Sequence, residues 1–236
     1  MSFKFKQFTI RQDKCAMKIG TDGVLLGSWA TVENTPDSIL DIGTGTGVIA
    51  LQLAQRSDAI TIDAIEIDND AFEQAVENFE NSNWADRLFC YHCSLQEFVD
   101  EIEDVYDLII ANPPFYTDNF ETDNEARNKA RFTTSLSFDT LLSSVSKLLS
   151  KQGVFSVIIP FKEEADFIAL AKKYQLFEQR ICRVQGTSES KIKRSLMEFS
   201  FKVPKNNKLE SLVIEQQRHQ YTKDYQNLVK EFYLKM

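Results

Sequence analysis

Histidine is scarce in this chain, with two residues in 236, His92 and His219. His92 lies inside the strand-like run LFCYHC and His219 in the polar stretch QQRHQY, and neither pattern suggests a general base. Cysteine is scarce as well. Four residues (Cys15, Cys90, Cys93 and Cys182) point to free thiols in a reducing compartment. Cys90 and Cys93 have zinc-like spacing, but no second Cys/His pair stands near them, so they read as buried strand cysteines and no metal is expected. No apolar stretch approaches the length of a membrane span, and MSFKFKQFTI alternates Lys and Phe where a signal peptide would be apolar. A cytoplasmic chain without membrane association is expected. Positive charge is in deficit, since the formal net charge is −8. That excludes a protein that coats nucleic acid indiscriminately and leaves room for a local basic face on a particular RNA.

What is present reads as one sizeable α/β domain, residues 1–236, with 43% hydrophobic and 26% charged residues. Strand candidates are 38–43 (SILDIG), 60–67 (ITIDAIEI), 88–93 (LFCYHC), 106–111 (YDLIIA) and 153–160 (GVFSVIIP). Between them lie helical stripes at Ala71, Phe72, Ala75, Val76 and Phe79, and at Leu141, Leu142, Val145, Leu148 and Leu149. Alternating strands and helices predict a doubly wound, mostly parallel sheet. The segments FEQRICRV (177–184) and LMEFSFKV (196–203) predict an antiparallel hairpin at one sheet edge, and a helix over about 224–234 closes the chain. Residues 1–35 read as a short addition: KFKQFTI and the segment after RQDK as a hairpin, then a helix around 22–30. The core occupies 36–236.

The turn DIGTGTG, residues 41–47, follows the first central strand and opens a helix. In a doubly wound sheet, ligands sit beyond the carboxyl ends of the strands, where glycines let backbone approach them. The spacing is G-x-G-x-G, not the G-x-G-x-x-G of dinucleotide sites. Asp41 suits a ligand carrying an ammonium and a sulfonium, and Glu66, closing the second strand, can accept both hydrogen bonds of a ribose diol. Together these features fit S-adenosylmethionine, released as S-adenosylhomocysteine, better than NAD.

The tetrapeptide Asn112-Pro113-Pro114-Phe115 ends the fourth strand and would project into the same crevice. The exocyclic amine of adenine is a poor nucleophile because its lone pair is delocalised into the ring. Acceptors on both amine hydrogens, the Asn112 side-chain oxygen and the Pro113 carbonyl, would pull the nitrogen towards tetrahedral geometry and expose that lone pair. The prolines fix the loop and remove competing N–H groups. Phe115 offers a stacking face for an extruded base, with Tyr116 a second candidate. Such a transfer needs positioning and electrostatics, without a metal or a covalent nucleophile.

DIGTGTG with NPPF resembles the class I, adenosylmethionine-dependent amino-methyltransferases. The segments FKQFTIRQDKCAMKIGTDGVLLGSWA (5–30), ARFTTSL (130–136) and DYQNLVKEFYLKM (224–236) look more specifically like the bacterial tRNA1(Val) (adenine-37-N6)-methyltransferases. That resemblance spans essentially the whole chain. It implies a Rossmann-like fold and N6-methylation of adenine 37, beside the anticodon of a valine tRNA. It also implies that Lys18, Thr21 and Asp22 line the donor side, that Gly43, Gly45 and Gly47 lie against the donor, and that Asp41 approaches its methionine portion. Glu66 would take the ribose, and Asn112 to Phe115 the target adenine. Where relatives often carry an Asp to read the donor's adenine amine, this chain has Ser94, which can still hydrogen-bond there.

Positive charge gathers at Lys4, Lys6, Arg11, Lys14 and Lys18, at Arg127, Lys129 and Arg131, and at Lys191, Lys193 and Arg194. If these flank the catalytic mouth they form a phosphate-binding rim, with Arg127, Arg131, Lys193 and Arg194 its expected RNA contacts. Rival readings differ in substrate. Protein-glutamine N5-methyltransferases share N-P-P plus an aromatic, but generally need an N-terminal helical domain for which there is no room. DNA adenine methyltransferases usually carry a separate target-recognition region, which no segment here is large enough to supply, so DNA is not expected. Ribosomal RNA guanine or adenine methyltransferases remain the nearest enzymatic rivals. An RNA-binding module on a methyltransferase fold is the non-enzymatic one, and it predicts a damaged glycine turn or a lost Asn112.

Overall fold

The computed structural model describes residues 2–114 and 136–236. Phe115, Tyr116, Arg127, Lys129, Arg131 and most of the ARFTTSL segment therefore lie outside the described residues. Among the described residues, β1 (Ser2–Lys4) and β2 (Thr9–Arg11) form an antiparallel pair that leads to α1 (Thr21–Trp29). The alternating part follows as β3 (Ser38–Ile42), α2 (Val48–Arg56), β4 (Thr61–Glu66), α3 (Asn69–Glu80), β5 (Leu88–His92), α4 (Leu95–Glu101) and β6 (Tyr106–Ala111). After the undescribed segment come α5 (Phe138–Leu148), β7 (Leu149–Pro160), α6 (Glu164–Lys173), β8 (Phe177–Gln185) and β9 (Ile192–Ser200). β10 (Lys208–Val213), the small pair β11 (Glu215–Gln217) and β12 (Gln220–Tyr221), and α7 (Lys223–Val229) complete the chain.

Eight strands make one sheet in the order β10-β8-β9-β7-β6-β3-β4-β5. Every pairing in it is parallel except those of β9 with β7 and β8. The doubly wound, mostly parallel fold is therefore as expected, and so is the antiparallel β8–β9 hairpin. One strand outside that hairpin, β10, was not anticipated. KLESLV mixes Lys208, Glu210 and Ser211 with three apolar residues, buries only Leu212, and pairs in parallel with β8 (Leu209 opposite Ile181). Three boundaries also shift. Leu149 begins β7 instead of ending α5, the first hairpin turns within residues 5–8 without using residues after Arg11, and α7 stops at Val229.

Side-chain alternation along each strand assigns the two faces. Ile39, Leu108, Ile110 and Ile158 join Leu25, Leu51, Ala75 and Phe79 in the core under α1, α2 and α3. Leu40, Ile42, Ile109, Ala111, Val157 and Ile159 meet Phe98, Leu142, Val145 and Phe167 beneath α4, α5 and α6. The α3 stripe is rotated from its expected position. Ala71, Ala75 and Phe79 are buried, Phe72 and Val76 are only half-buried, and the amides Gln74 and Asn78 are buried in their place. The chain ends are tied together by an isolated bridge between Phe5 and Tyr233, whose ring centroids lie 5.7 Å apart.

Candidate active site

Strand order locates the site. The chain leaves β3 for β4 and β5 on one side and returns to β6 on the other, so the sheet reverses direction at β3. A crevice opens beyond the carboxyl ends of the strands at such a switch point. In register, Ile42 of β3 stands beside Ile65 of β4 and Ala111 of β6. The residues that follow, Gly43, Glu66 and Asn112, therefore emerge side by side. They line a cavity of about 310 Å³ together with Gly45, Ser94, Pro113 and Pro114.

The glycines of the turn do two different jobs. All three have left-handed φ values, +70° at Gly43, +58° at Gly45 and +80° at Gly47. A Cβ added at Gly43 or Gly45 meets nothing within 4 Å, because those positions face open cavity. A Cβ at Gly47 would come within 2.5 Å of Phe79 Cε1. Gly47 thus caps α2 and seats α3 against it, and it does not line the cavity, although the resemblance implied contact with the donor. Gly43 and Gly45 form the part of the cradle that a ligand can approach.

Glu66 is buried and oriented by backbone. Its Oε1 accepts from the amides of Ile67 and Asp68, both at 2.9 Å, and its Oε2 accepts from Gly45 at 2.8 Å. A carboxylate has about four acceptor positions. Oε2 can therefore take one hydroxyl outright, and a second in exchange for the Gly45 amide.

Asp41 is not at the mouth. Positions 40 and 42 point into the α4–α6 side, so Asp41 points the other way, fully buried beneath the start of α2. Its Oδ2 accepts from Thr44 Oγ1 at 2.6 Å, while Oδ1 makes no hydrogen bond among the described residues. Burial pushes its carboxyl up to about 7. The Thr44 hydroxyl and the Ala50 amide pull the other way, and the charge of Glu66 adds to the rise.

Ser94 lines the cavity, but its hydroxyl is engaged. It caps α4, accepting from the Glu97 amide at 3.2 Å and donating to Glu97 Oε2 at 2.7 Å in a reciprocal capping box. Its proton is spent on Glu97, leaving one acceptor lone pair. Cys93 beside it is half-buried and also lines the cavity; burial raises its thiol, and pushes that of Cys90 up to about 12. The two are thus half-buried on the sheet's edge strand and its end, short of the full burial expected. No group of three or more metal-ligating side chains occurs among the described residues.

The side chain of Asn112 is half-buried and forms no hydrogen bond among the described residues. A Cβ at Gly23 would lie 3.9 Å from Asn112 Nδ2, an ordinary packing distance, so the start of α1 lies against the loop that follows β6. Thr21 and Asp22 immediately precede that contact but do not line the cavity, and Lys18 is exposed. Met17 and Ile67, neither singled out in the sequence, do line it, with 70% and 54% of their surface exposed. Ile67 falls in the expected second strand, which ends at Glu66, and Met17 in the segment after RQDK expected to form part of a hairpin.

The basic rim is partly neutralised within the chain. Arg11 pairs with Glu77, Lys14 with Glu73 at 3.1 Å, and Arg194 with Asp22 at 2.7 Å. Lys6 donates to the Lys230 carbonyl at 2.6 Å. Among the described residues, Lys18, Lys191 and Lys193 have no carboxylate partner. Arg194 faces Pro160, the last residue of β7, so it and Lys193 reach the cavity end of the sheet. His92 stacks on Phe72 and meets the Ile67 carbonyl through Nε2, and His219 occupies an exposed left-handed turn position.

Residues 20–159 match the methyltransferase small domain family model. The chain is 58% identical to the tRNA1(Val) (adenine(37)-N6)-methyltransferase of Flavobacterium johnsoniae over 234 residues, covering 99% of this chain and 100% of that one. It is 56% identical to the protein of the same name from Flavobacterium psychrophilum, with the same coverage. Among solved structures, a predicted O-methyltransferase from Agrobacterium tumefaciens superposes with a TM-score of 0.67 over 89% of this chain and 96% of that one. At 18% identity, that likeness concerns the fold.

Proposed function

This chain belongs to the tRNA1(Val) (adenine(37)-N6)-methyltransferase family, and from that premise we propose that it transfers a methyl group from S-adenosylmethionine to the exocyclic N6 of adenine in tRNA, at adenine 37 of a valine tRNA in the cytoplasm. One observation carries the reading. Asn112, Pro113 and Pro114 open into the same cavity as Gly43, Gly45 and Glu66, so an amine-binding loop and a donor cradle share one space.

The residues present fit the donor. Gly43 and Gly45 leave open space beside a left-handed backbone, and Glu66 retains an acceptor for a ribose hydroxyl. When bound, S-adenosylmethionine supplies an electrophilic methyl group on a sulfonium and departs as the neutral thioether. Asn112 Oδ1 and the Pro113 carbonyl accept the two amine hydrogens, which frees the nitrogen lone pair for in-line attack. Among the described residues the Asn112 amide is uncommitted, so no hydrogen bond to them has to break first. The nitrogen gains positive charge as its bond to the methyl carbon forms, and its proton then passes to solvent. Phe115, outside the described residues, supplies the stacking face for the base, and Lys193 and Arg194 contribute to phosphate binding.

The test is methyl transfer from labelled S-adenosylmethionine to an unmodified valine tRNA transcript, followed by digestion and mass spectrometry. N6-methyladenosine beside the anticodon is expected. Asn112→Ala should lower kcat by about 100-fold while the donor KM changes little. Label on ribosomal RNA or a protein glutamine instead would discard the tRNA reading and retain the donor site.

A further inference from the structure

Residues 12–20 run between β2 and α1 without helix or ladder, yet their path is set by buried carboxamides. Gln74 of α3, fully buried, accepts from the amides of Asp13 and Lys14 at 3.1 and 3.2 Å. One turn on, Asn78 accepts from the Arg11 amide at 2.8 Å and donates to the Arg11 carbonyl at 2.9 Å. Its Nδ2 also donates to the Thr46 carbonyl at 2.8 Å, inside the glycine turn. Gln12, itself buried, accepts from the Ile19 amide at 2.9 Å and closes the segment on itself. Outside these contacts, Arg11 pairs with Glu77 and Lys14 with Glu73.

Buried amides are costly to place in a core unless their partners are met, and here the partners are backbone groups of one segment and of the glycine turn, with Glu77 Oε2 accepting from Gln74 Nε2 at 2.9 Å. The segment held this way presents Met17 to the cavity that Gly45 and Glu66 also line. We infer that Gln74 and Asn78 are positioning residues for donor binding: through them α3 holds residues 11–19 as a clasp, with Met17 as its contact with the donor. Because Asn78 also holds Thr46, the clasp and the glycine cradle share one anchor, and loosening either disturbs both. The inference rests on the donor reading given above.

Gln74→Met removes the acceptor while nearly keeping the volume, and its melting temperature checks that it folds. Titration calorimetry with S-adenosylhomocysteine should show about tenfold weaker binding than wild type, as expected for unpairing two half-buried amides. Affinity for tRNA in a filter assay should stay within about twofold, since Arg11 and Lys14 of the segment are paired with Glu77 and Glu73 and the proposed phosphate contacts Lys193 and Arg194 lie on β9. S-adenosylhomocysteine should also slow tryptic cleavage after Lys14 and Lys18 in the wild type and fail to do so in the variant. Unchanged donor affinity in a folded Gln74→Met protein overturns the clasp. If that variant does not fold, Met17→Ser decides. Its exposed side chain leaves the core untouched, weaker S-adenosylhomocysteine binding supports the clasp, and unchanged binding overturns it. A wild-type protein that does not bind S-adenosylhomocysteine overturns the donor reading and the clasp together.

Discussion

Asp22, in the first turn of α1, and Arg194, in the third residue of β9, are joined carboxylate to guanidinium at 2.7 Å across 172 residues of sequence. Each had been assigned a separate partner, the donor for one and RNA for the other. The pair ties the helix beside Asn112 to the hairpin side of the mouth. A phosphate approaching Arg194 must therefore compete with Asp22.

Arg194→Ala is expected to weaken tRNA binding and to lower the slope of log affinity against log salt by about one. Asp22→Asn should strengthen tRNA binding modestly by releasing the guanidinium. Both should leave stability within about 1 kcal/mol, because half-exposed ion pairs contribute little. Filter binding across a salt series and urea denaturation measure the two quantities.

Gly47 and Gly45 should separate stability from binding. Gly47→Ala combines a left-handed φ with a collision against Phe79, and a loss of about 2–4 kcal/mol in urea denaturation is expected. Gly45→Ala has open space for its methyl group, so it should lose about 1 kcal/mol while raising the donor KM, because the methyl group projects into the cradle.

Asp41 makes stability depend on pH. Its carboxyl is raised from an ordinary 3.8 to about 7, first by burial. Folding therefore takes up a proton between about pH 4 and pH 7, and stability falls as pH rises through that window. Asp41→Asn resembles the protonated form. It should match the wild type below about pH 4 and exceed it at pH 8 by an amount on the order of a few kcal/mol. Urea denaturation at the two pH values reads this directly, and equal stability at both would refute it.

Ser94→Ala is expected to cost about 1 kcal/mol through the lost cap of α4. The donor KM should stay within about twofold, since the hydroxyl proton is already held by Glu97. A tenfold rise in donor KM would return Ser94 to donor recognition.

The parts of the fold visible in the sequence were those set by local period. The runs of β3, β4 and β6 are apolar on both faces because helices cover both, and their ends were placed to within a residue or two. The Asn-Pro-Pro stop and the glycine turn were equally plain, because backbone demands there admit few residues. Asp41 is expected from the sequence to approach the donor, although strand parity places it opposite Ile42, which the alternation alone shows. Ser94 was treated as a recognition residue although Ser-x-x-Glu is a capping signature. Gln74 and Asn78 were passed over because an amide beside an apolar stripe ordinarily faces water. Their burial depends on a partner segment some 60 residues earlier, which no local pattern encodes.

The single reversed strand of the sheet has an architectural result. Since β9 runs against its neighbours, the turn joining it to β8, residues 186–191, emerges on the same rim as the ends of β3, β4 and β6. Two strands, β7 and β6, separate that turn from the glycine turn. The hairpin tip can lengthen, shorten or change charge without moving a cavity wall. A methyl-transfer centre of fixed geometry is thereby paired with an adjustable outrigger, and the size of the macromolecule it can hold is set independently of the chemistry it performs.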